Sequence, residues 1–300
     1  MLCASCGTAE GDDIKLKNCT ACYLVRYCGV KCQKDHRPKH KKECKKRAAE
    51  LKDENLFKQP ENNHLGDCPL CCVPLLIDVK ESIFMTCCSK HICHGCDYAN
   101  KRREIEGRLQ HKCPFCRKAT PTSQEESNEH LMKRIEANDP VAMCCKGAER
   151  YMRGHYTAAF DYWTKSAALG YVEAHQQLAS LYTFGRGGAE KVEKKAFYHT
   201  EQAAIGGHPL ARFNLGLLEV VNGQYGRAAK HFIIAANLGC DEALEQIKRL
   251  FKAGYANKED YTAALRGYQA AIAATKSPQR EEAAAFLTRK EGLGAHSESS

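Results

Sequence analysis

The chain of 300 residues has one tryptophan, nine prolines and five methionines, and past residue 116 it has almost no cysteine. Each scarcity excludes something. No stretch approaches the ~18–20 consecutive apolar residues that a membrane-crossing helix needs, so no membrane association is expected. The opening residues MLCASCGTAE lack both a basic flank and an apolar run, so no secretory leader is expected. Glycine-rich phosphate loops, nucleophile elbows and His-Glu-x-x-His metalloprotease motifs are missing, and the common catalytic frames go with them. The cysteine-poor second half speaks against a secreted disulfide scaffold. The expected location is the cytoplasm or nucleus, where dense cysteine signals metal.

Sixteen of the nineteen cysteines fall in the first 116 residues; only Cys144, Cys145 and Cys240 lie beyond, and these read as small buried apolar residues. Most of the sixteen form C-x-x-C pairs: Cys3/Cys6, Cys19/Cys22, Cys68/Cys71, Cys93/Cys96 and Cys113/Cys116. A C-x-x-C turn lets two thiolates converge on one tetrahedral ion while backbone N–H groups support the sulfurs. The remaining apolar content, 43%, is enough for a globular core. The net charge of +9 is local: residues 31–52 hold ten Lys/Arg against three Asp/Glu. Such a run is usually a solvated helix face, so nucleic-acid binding is not expected.

Residues 3–44 supply Cys3, Cys6, Cys19, Cys22, Cys28, Cys32, His40 and Cys44, eight ligands for two closed sites. Closed sites are structural, and so short a segment needs metal to fold. The spacing, with Tyr27 before Cys28, resembles the MYND finger. That resemblance implies interleaved sites, Cys3/Cys6/Cys28/Cys32 and Cys19/Cys22/His40/Cys44, and a module that docks short peptide motifs. His36 competes with His40 but fits the family spacing less well, and it reads as a solvated histidine.

Residues 68–116 open with Cys-Pro-Leu-Cys and close with Cys-Pro-Phe-Cys. This frame resembles a RING finger. The resemblance implies one zinc on Cys68, Cys71, Cys93 and Cys96 and another on Cys87, Cys88, Cys113 and Cys116, with His91 as an alternative to Cys87 or Cys88. The usual C-x-H-x2-C order fails at Lys90, and the spacing is closer to the all-cysteine variants. The family binds a ubiquitin-conjugating enzyme through an apolar residue in the first loop, a proline in the last and a basic residue after it. Leu70, Pro114 and Arg117 occupy those positions. Many active members also have a tryptophan between the third and fourth pairs, where this chain has none. Cys72 reads as a buried thiol, His64 as a loop histidine and His94 as exposed. A helix between Cys96 and Cys113 is expected to turn Tyr98, Ile105 and Leu109 to the zinc core.

Beyond a polar linker the chain repeats. Ala-Ala pairs stand at 167/168, 203/204, 235/236 and 270/271, and further alanines at Ala142, Ala174, Ala211 and Ala243. A period in the thirties is that of paired-helix solenoids. The stretch YWTKSAALGYVEAHQQLASLYTFGRG resembles Sel-like repeats, relatives of the tetratricopeptide repeat, and the match weakens over 241–274. Trp163, Tyr182, Phe184, Phe213 and Tyr225 are expected to be mostly inter-helix core.

The expected fold is thus two small zinc-stabilised α+β fingers with four structural zinc ions, followed by an all-α helical-repeat solenoid. The boundaries are 1–46 for the first finger, with a basic helix to about 58, 66–118 for the second, a linker over 119–136, repeats over 137–290 and a disordered tail over 291–300. The function expected is protein interaction: peptides at the MYND finger, substrate on the repeats and a conjugating enzyme at the RING frame. A non-enzymatic scaffold is the alternative.

Overall fold

The computed structural model describes residues 1–186 and 190–295. The chain divides into two compact units, Met1–Lys58 and Gln59–Ser300. In the first, strands β1 (Lys17–Asn18) and β2 (Arg26–Tyr27) pair antiparallel ahead of a 27-residue helix α1 (Val30–Leu56). The buried cluster is Cys3, Leu16, Cys19, Cys22 and Tyr27. Three of those five are cysteines, so apolar burial alone cannot hold the unit together. Within α1 only His40 and Leu56 are buried, and the basic run faces water as its composition implies. The helix passes through Pro38 without ending, and the segment after Cys44 belongs to it.

In the second unit, β3 (Ser82–Met85) pairs antiparallel with β4 (Lys90–Cys93), placing Ile83 opposite Ile92 and Phe84 opposite His91. Helix α2 (His94–Glu106) follows directly. The core beneath is Leu75 and Ile92 among Cys68, Cys87, Cys93, Cys96 and Cys113. Ile105 and Leu109 do not face it: they are 68% and 53% exposed. The thiolate-lined centre is small, and α2 gives it only its first turn. Tyr98 turns instead to Phe286, ring to ring at 5.0 Å.

The expected linker over 119–136 is largely helix α3 (Gln124–Glu136). The Ser123 hydroxyl accepts the Glu126 N–H, and the Glu126 carboxylate accepts from the N–H and hydroxyl of Thr122. This S-x-x-E start signal is legible in the sequence and outweighs the polar composition.

The repeats are four antiparallel helix pairs: α4 (Pro140–Met152) with α5 (Tyr156–Ala168), α6 (Val172–Phe184) with α7 (Glu193–Ile205), α8 (Pro209–Val221) with α9 (Tyr225–Asn237), and α10 (Asp241–Lys252) with α11 (Lys258–Ala274). Ala142, Ala174, Ala211 and Ala243 are completely buried, because each sits where neighbouring helices come closest. Twice the close approach is a glycine under an aromatic ring. A β-carbon on Gly147 would come 2.6 Å from the Trp163 indole, and one on Gly216 would come 2.5 Å from the Phe232 ring. The last Ala-Ala pair departs from the pattern: Ala270 is exposed, as at a repeat without a further neighbour. Of the aromatic stripe, Trp163 and Tyr182 are buried and Phe213 and Tyr225 pack on the core, while Phe184 is 65% exposed.

A final helix, α12 (Pro278–Ala295), packs against α2. It runs five residues into the tail expected to be disordered, since an Ala- and Glu-rich run carries helix past isolated glycines that cost only about 1 kcal/mol each. Residues 296–300 lie outside the described residues. No described helix is long and apolar enough to cross a membrane.

Candidate metal centres

Four groups of four side chains converge, each with its ligand atoms within 4.8 Å of one another: Cys3/Cys6/Cys28/Cys32, Cys19/Cys22/His40/Cys44, Cys68/Cys71/Cys93/Cys96 and Cys87/Cys88/Cys113/Cys116. Zinc–sulfur bonds of ~2.3 Å in a tetrahedron set sulfurs about 3.8 Å apart. The Sγ atoms of Cys19 and Cys44, of Cys71 and Cys93, and of Cys88 and Cys113 are 3.8 Å apart. Cys6–Cys28 and Cys28–Cys32 stand at 3.5 Å, Cys87–Cys116 at 3.3 Å, and His40 Nε2 lies 3.1 Å from Cys22 Sγ. Soft thiolates with one imidazole, four to a site, fit zinc and leave no open position.

One local motif builds four of the half-sites. After Cys3/Cys6, Cys19/Cys22, Cys68/Cys71 and Cys113/Cys116, the next residue donates its N–H to the carbonyl of the first cysteine at 2.9 Å. That residue takes positive φ: Gly7 at 74°, Tyr23 at 57°, Cys72 at 54° and Arg117 at 63°. The reversal aims both sulfurs inward. It also explains Cys72, which is exposed rather than buried, because the turn throws the following side chain outward. Cys93/Cys96 works differently. Cys93 caps α2, its sulfur accepting the Cys96 N–H at 3.4 Å, so the thiolate faces the positive end of the helix.

Within the groups the thiols split: burial, with neighbouring thiols, raises Cys44 to about 11 and Cys88 and Cys96 to about 12, while hydrogen bonds lower others. Cys3 is held down to about 6 by the backbone of Cys6 and then of Cys28. Cys68 falls to about 4, chiefly through the hydrogen bond from the Cys93 thiol, with N–H groups of Leu70 and Cys71 assisting against burial. Burial raises Cys145 and Cys240 to about 12, with nearby carboxylates adding to it.

The histidines sort by geometry. His40 joins the second group, while His36 is half-buried behind it, hydrogen-bonded to the Tyr27 hydroxyl at 3.1 Å and stacked on His40. It is not the solvated side chain expected, because the aromatic before Cys28 holds it. His91 stays outside the fourth group, 3.3 Å from the Ser82 hydroxyl and against Phe84. His94 is hydrogen-bonded to the Lys80 carbonyl at 2.7 Å.

A fifth cluster has no signal in the residue spacing. His64 lies in a loop, as expected, but its side chain is buried against half-buried Glu173 and against His208, and both Nε2 atoms lie 3.1 Å from one Glu173 oxygen. Two observations argue against a metal ion there. The imidazoles are stacked, 4.2 Å between centroids at 17°, so one ion cannot lie in both ring planes. His208 Nδ1 also accepts the Ala211 N–H, which leaves its proton on Nε2, pointing at the carboxylate. The cluster is a half-buried carboxylate held by two buried imidazole N–H groups, with Gln177 on its other oxygen at 2.6 Å. It fastens the segment leading into Cys68 onto α6 and α8, together with the His64 N–H to the Gly207 carbonyl.

A family model described as the MYND finger matches residues 3–44. The N-terminal region is a MYND-type zinc finger. Among solved structures, one titled as the crystal structure of a Sel1 repeat protein from Oxalobacter formigenes is similar, at 23% identity over 53% of this chain and 67% of that one, with a TM-score of 0.44. No curated protein matches. A MYND finger joined to an array of paired helical repeats is the make-up of a protein-interaction protein.

Proposed function

We propose that this chain is a RING-type ubiquitin ligase holding four structural zinc ions, on the sixteen side chains grouped above, with its helical repeats recruiting substrate and its MYND finger docking a peptide. Such a ligase has no nucleophile; it accelerates transfer by holding a charged conjugating enzyme in a reactive orientation. The observation that carries the reading is the pair of exposed apolar tips on the two zinc knuckles of the second finger. Leu70 is 39% exposed and Phe115 42%, beside half-buried Pro114 and exposed Arg117. Apolar side chains held out by rigid metal turns have no use in this unit's core. Helix α12 meets α2 at Gly95 and Tyr98.

The test is self-ubiquitination by the purified chain across a panel of conjugating enzymes, with Leu70→Ala and Arg117→Ala checked for intact zinc content. Chains formed by the parent and reduced at least tenfold in both zinc-replete variants support the ligase. No transfer across the panel leaves the second reading, a scaffold without activity. One observation favours that reading: the single tryptophan, Trp163, is buried in the repeats and none stands between Cys96 and Cys113.

A further inference from the structure

The last helix reaches back to the first zinc group of the second finger. A β-carbon on Gly95, inside the Cys93-x-x-Cys96 turn, would come 2.8 Å from the Arg280 nitrogen and 2.9 Å from the Gln279 carbonyl carbon. The first turn of α12 therefore lies directly on that turn. Gln279 Oε1 is 4.0 Å from Cys96 Sγ. The Arg280 guanidinium donates to the carbonyls of Pro74 at 2.7 Å, Val73 at 3.0 Å and Thr275 at 2.9 Å, and its Nη2 lies 4.0 Å from Cys71 Sγ. Further along, Arg102 pairs with Glu282 and Tyr98 meets Phe286.

Four thiolates around one Zn²⁺ leave a net charge of about −2 in a half-buried site. A cation against the sulfurs offsets it, and outer partners of this kind decide how firmly ligands are held. Nothing within residues 59–118 supplies one: among the described residues, the only cationic side chain hydrogen-bonded to a sulfur of this group is Arg280. The same guanidinium grips Val73 and Pro74, just after the knuckle that carries Leu70.

We propose that Arg280, with Gln279, is the outer shell of the Cys68/Cys71/Cys93/Cys96 zinc centre, so that retention of this zinc depends on a helix more than 160 residues further along the chain. Arg280 is a positioning residue for zinc and for the Leu70 knuckle. The inference rests on the reading of those four cysteines as ligands, and Cys71→Ser tests that reading by itself: the full chain should lose one equivalent of zinc.

The decisive measurement is zinc release from the full-length protein to a chromophoric chelator, for the parent, Arg280→Ala, Arg280→Lys and, as a control on the same helix away from the sulfurs, Glu282→Ala. Expected is one equivalent leaving about tenfold faster in Arg280→Ala, a smaller change in Arg280→Lys, and the parent profile in Glu282→Ala. In cadmium-substituted protein, one of the all-sulfur cadmium resonances should move in Arg280→Lys while the others stay. Release at the parent rate in Arg280→Ala overturns the proposal. So does equal acceleration of every equivalent with a matching loss of thermal stability, which would make Arg280 a buttress of the fold only.

Discussion

The residue that follows each metal knuckle shows how a single backbone angle decides a side chain's fate. Gly7 fills this place in the first knuckle without strain, whereas Cys72 fills it at φ 54° with a β-carbon. A left-handed non-glycine residue costs roughly 1–2 kcal/mol, partly offset by the entropy glycine loses on folding. Cys72→Gly should therefore leave zinc content unchanged and raise stability by up to about 1 kcal/mol, read by thermal unfolding; a loss of zinc would contradict this. Thiol chemistry divides along the same line. Under native, zinc-replete conditions an alkylating reagent should modify Cys72 first. Cys145 and Cys240, raised to about 12 by burial, should react only on unfolding, as mass mapping of labelled peptides would reveal.

At the scale of elements, two different physical sources of order stand side by side. Residues 1–58 have a buried cluster in which three of the five side chains are cysteines, so a strong chelator should unfold that unit outright. The repeats bury alanines, Trp163 and Phe232 and should keep most of their helical circular dichroism in the same experiment. A chelator that left the amide spectrum of residues 1–58 dispersed would refute the first half. Within the repeats, tight helix approach makes Gly147→Ala costly. Its methyl would enter the space of the Trp163 indole, and overpacking of this kind costs roughly 1–3 kcal/mol in denaturant titration. The period of the alanines makes these contacts legible in the sequence itself, because small residues mark where helices touch. The S-x-x-E start of α3 is equally local and equally readable, but the surrounding polar residues mask it.

For the molecule as a whole, the second finger and the repeats fall in one compact unit instead of two tethered domains. His64 on Glu173 and Arg280 on the knuckle fasten it. The His64 cluster carries a pH signature. Burial holds the His64 imidazole below its ordinary 6.5, with the carboxylate of Glu173 opposing and His208 adding to it. A folded value below the unfolded one means the unfolded chain takes up the proton first, so stability falls as pH drops below about 6.5. Glu173 is itself held well below 4.5, because its hydrogen bonds from His208 and His64 outweigh burial. Its contribution is complete above the unfolded value and is lost only in stronger acid, as pH falls from about 4.5 toward the folded value. His64→Gln should flatten the loss of stability between pH 7 and 5.5 relative to the parent. Zinc loss in acid is common to both, so equal slopes would count against the assignment. At pH 7, Glu173→Gln should cost roughly 1–3 kcal/mol by leaving buried N–H groups poorly matched.

The sequence by itself determined the metal-binding turns and the repeat. Both are written in short-range spacing, and a C-x-x-C turn or an alanine every thirty-odd residues reads the same whatever surrounds it. Which of Cys87, Cys88 and His91 gather at one point, where Ile105 and Leu109 face, and what His64 and Arg280 do were decided only by the tertiary structure. Those outcomes depend on groups up to 209 positions apart, as Cys71 and Arg280 are. A lone histidine or arginine in a sequence carries no mark of the carboxylate or thiolate that folding will place beside it.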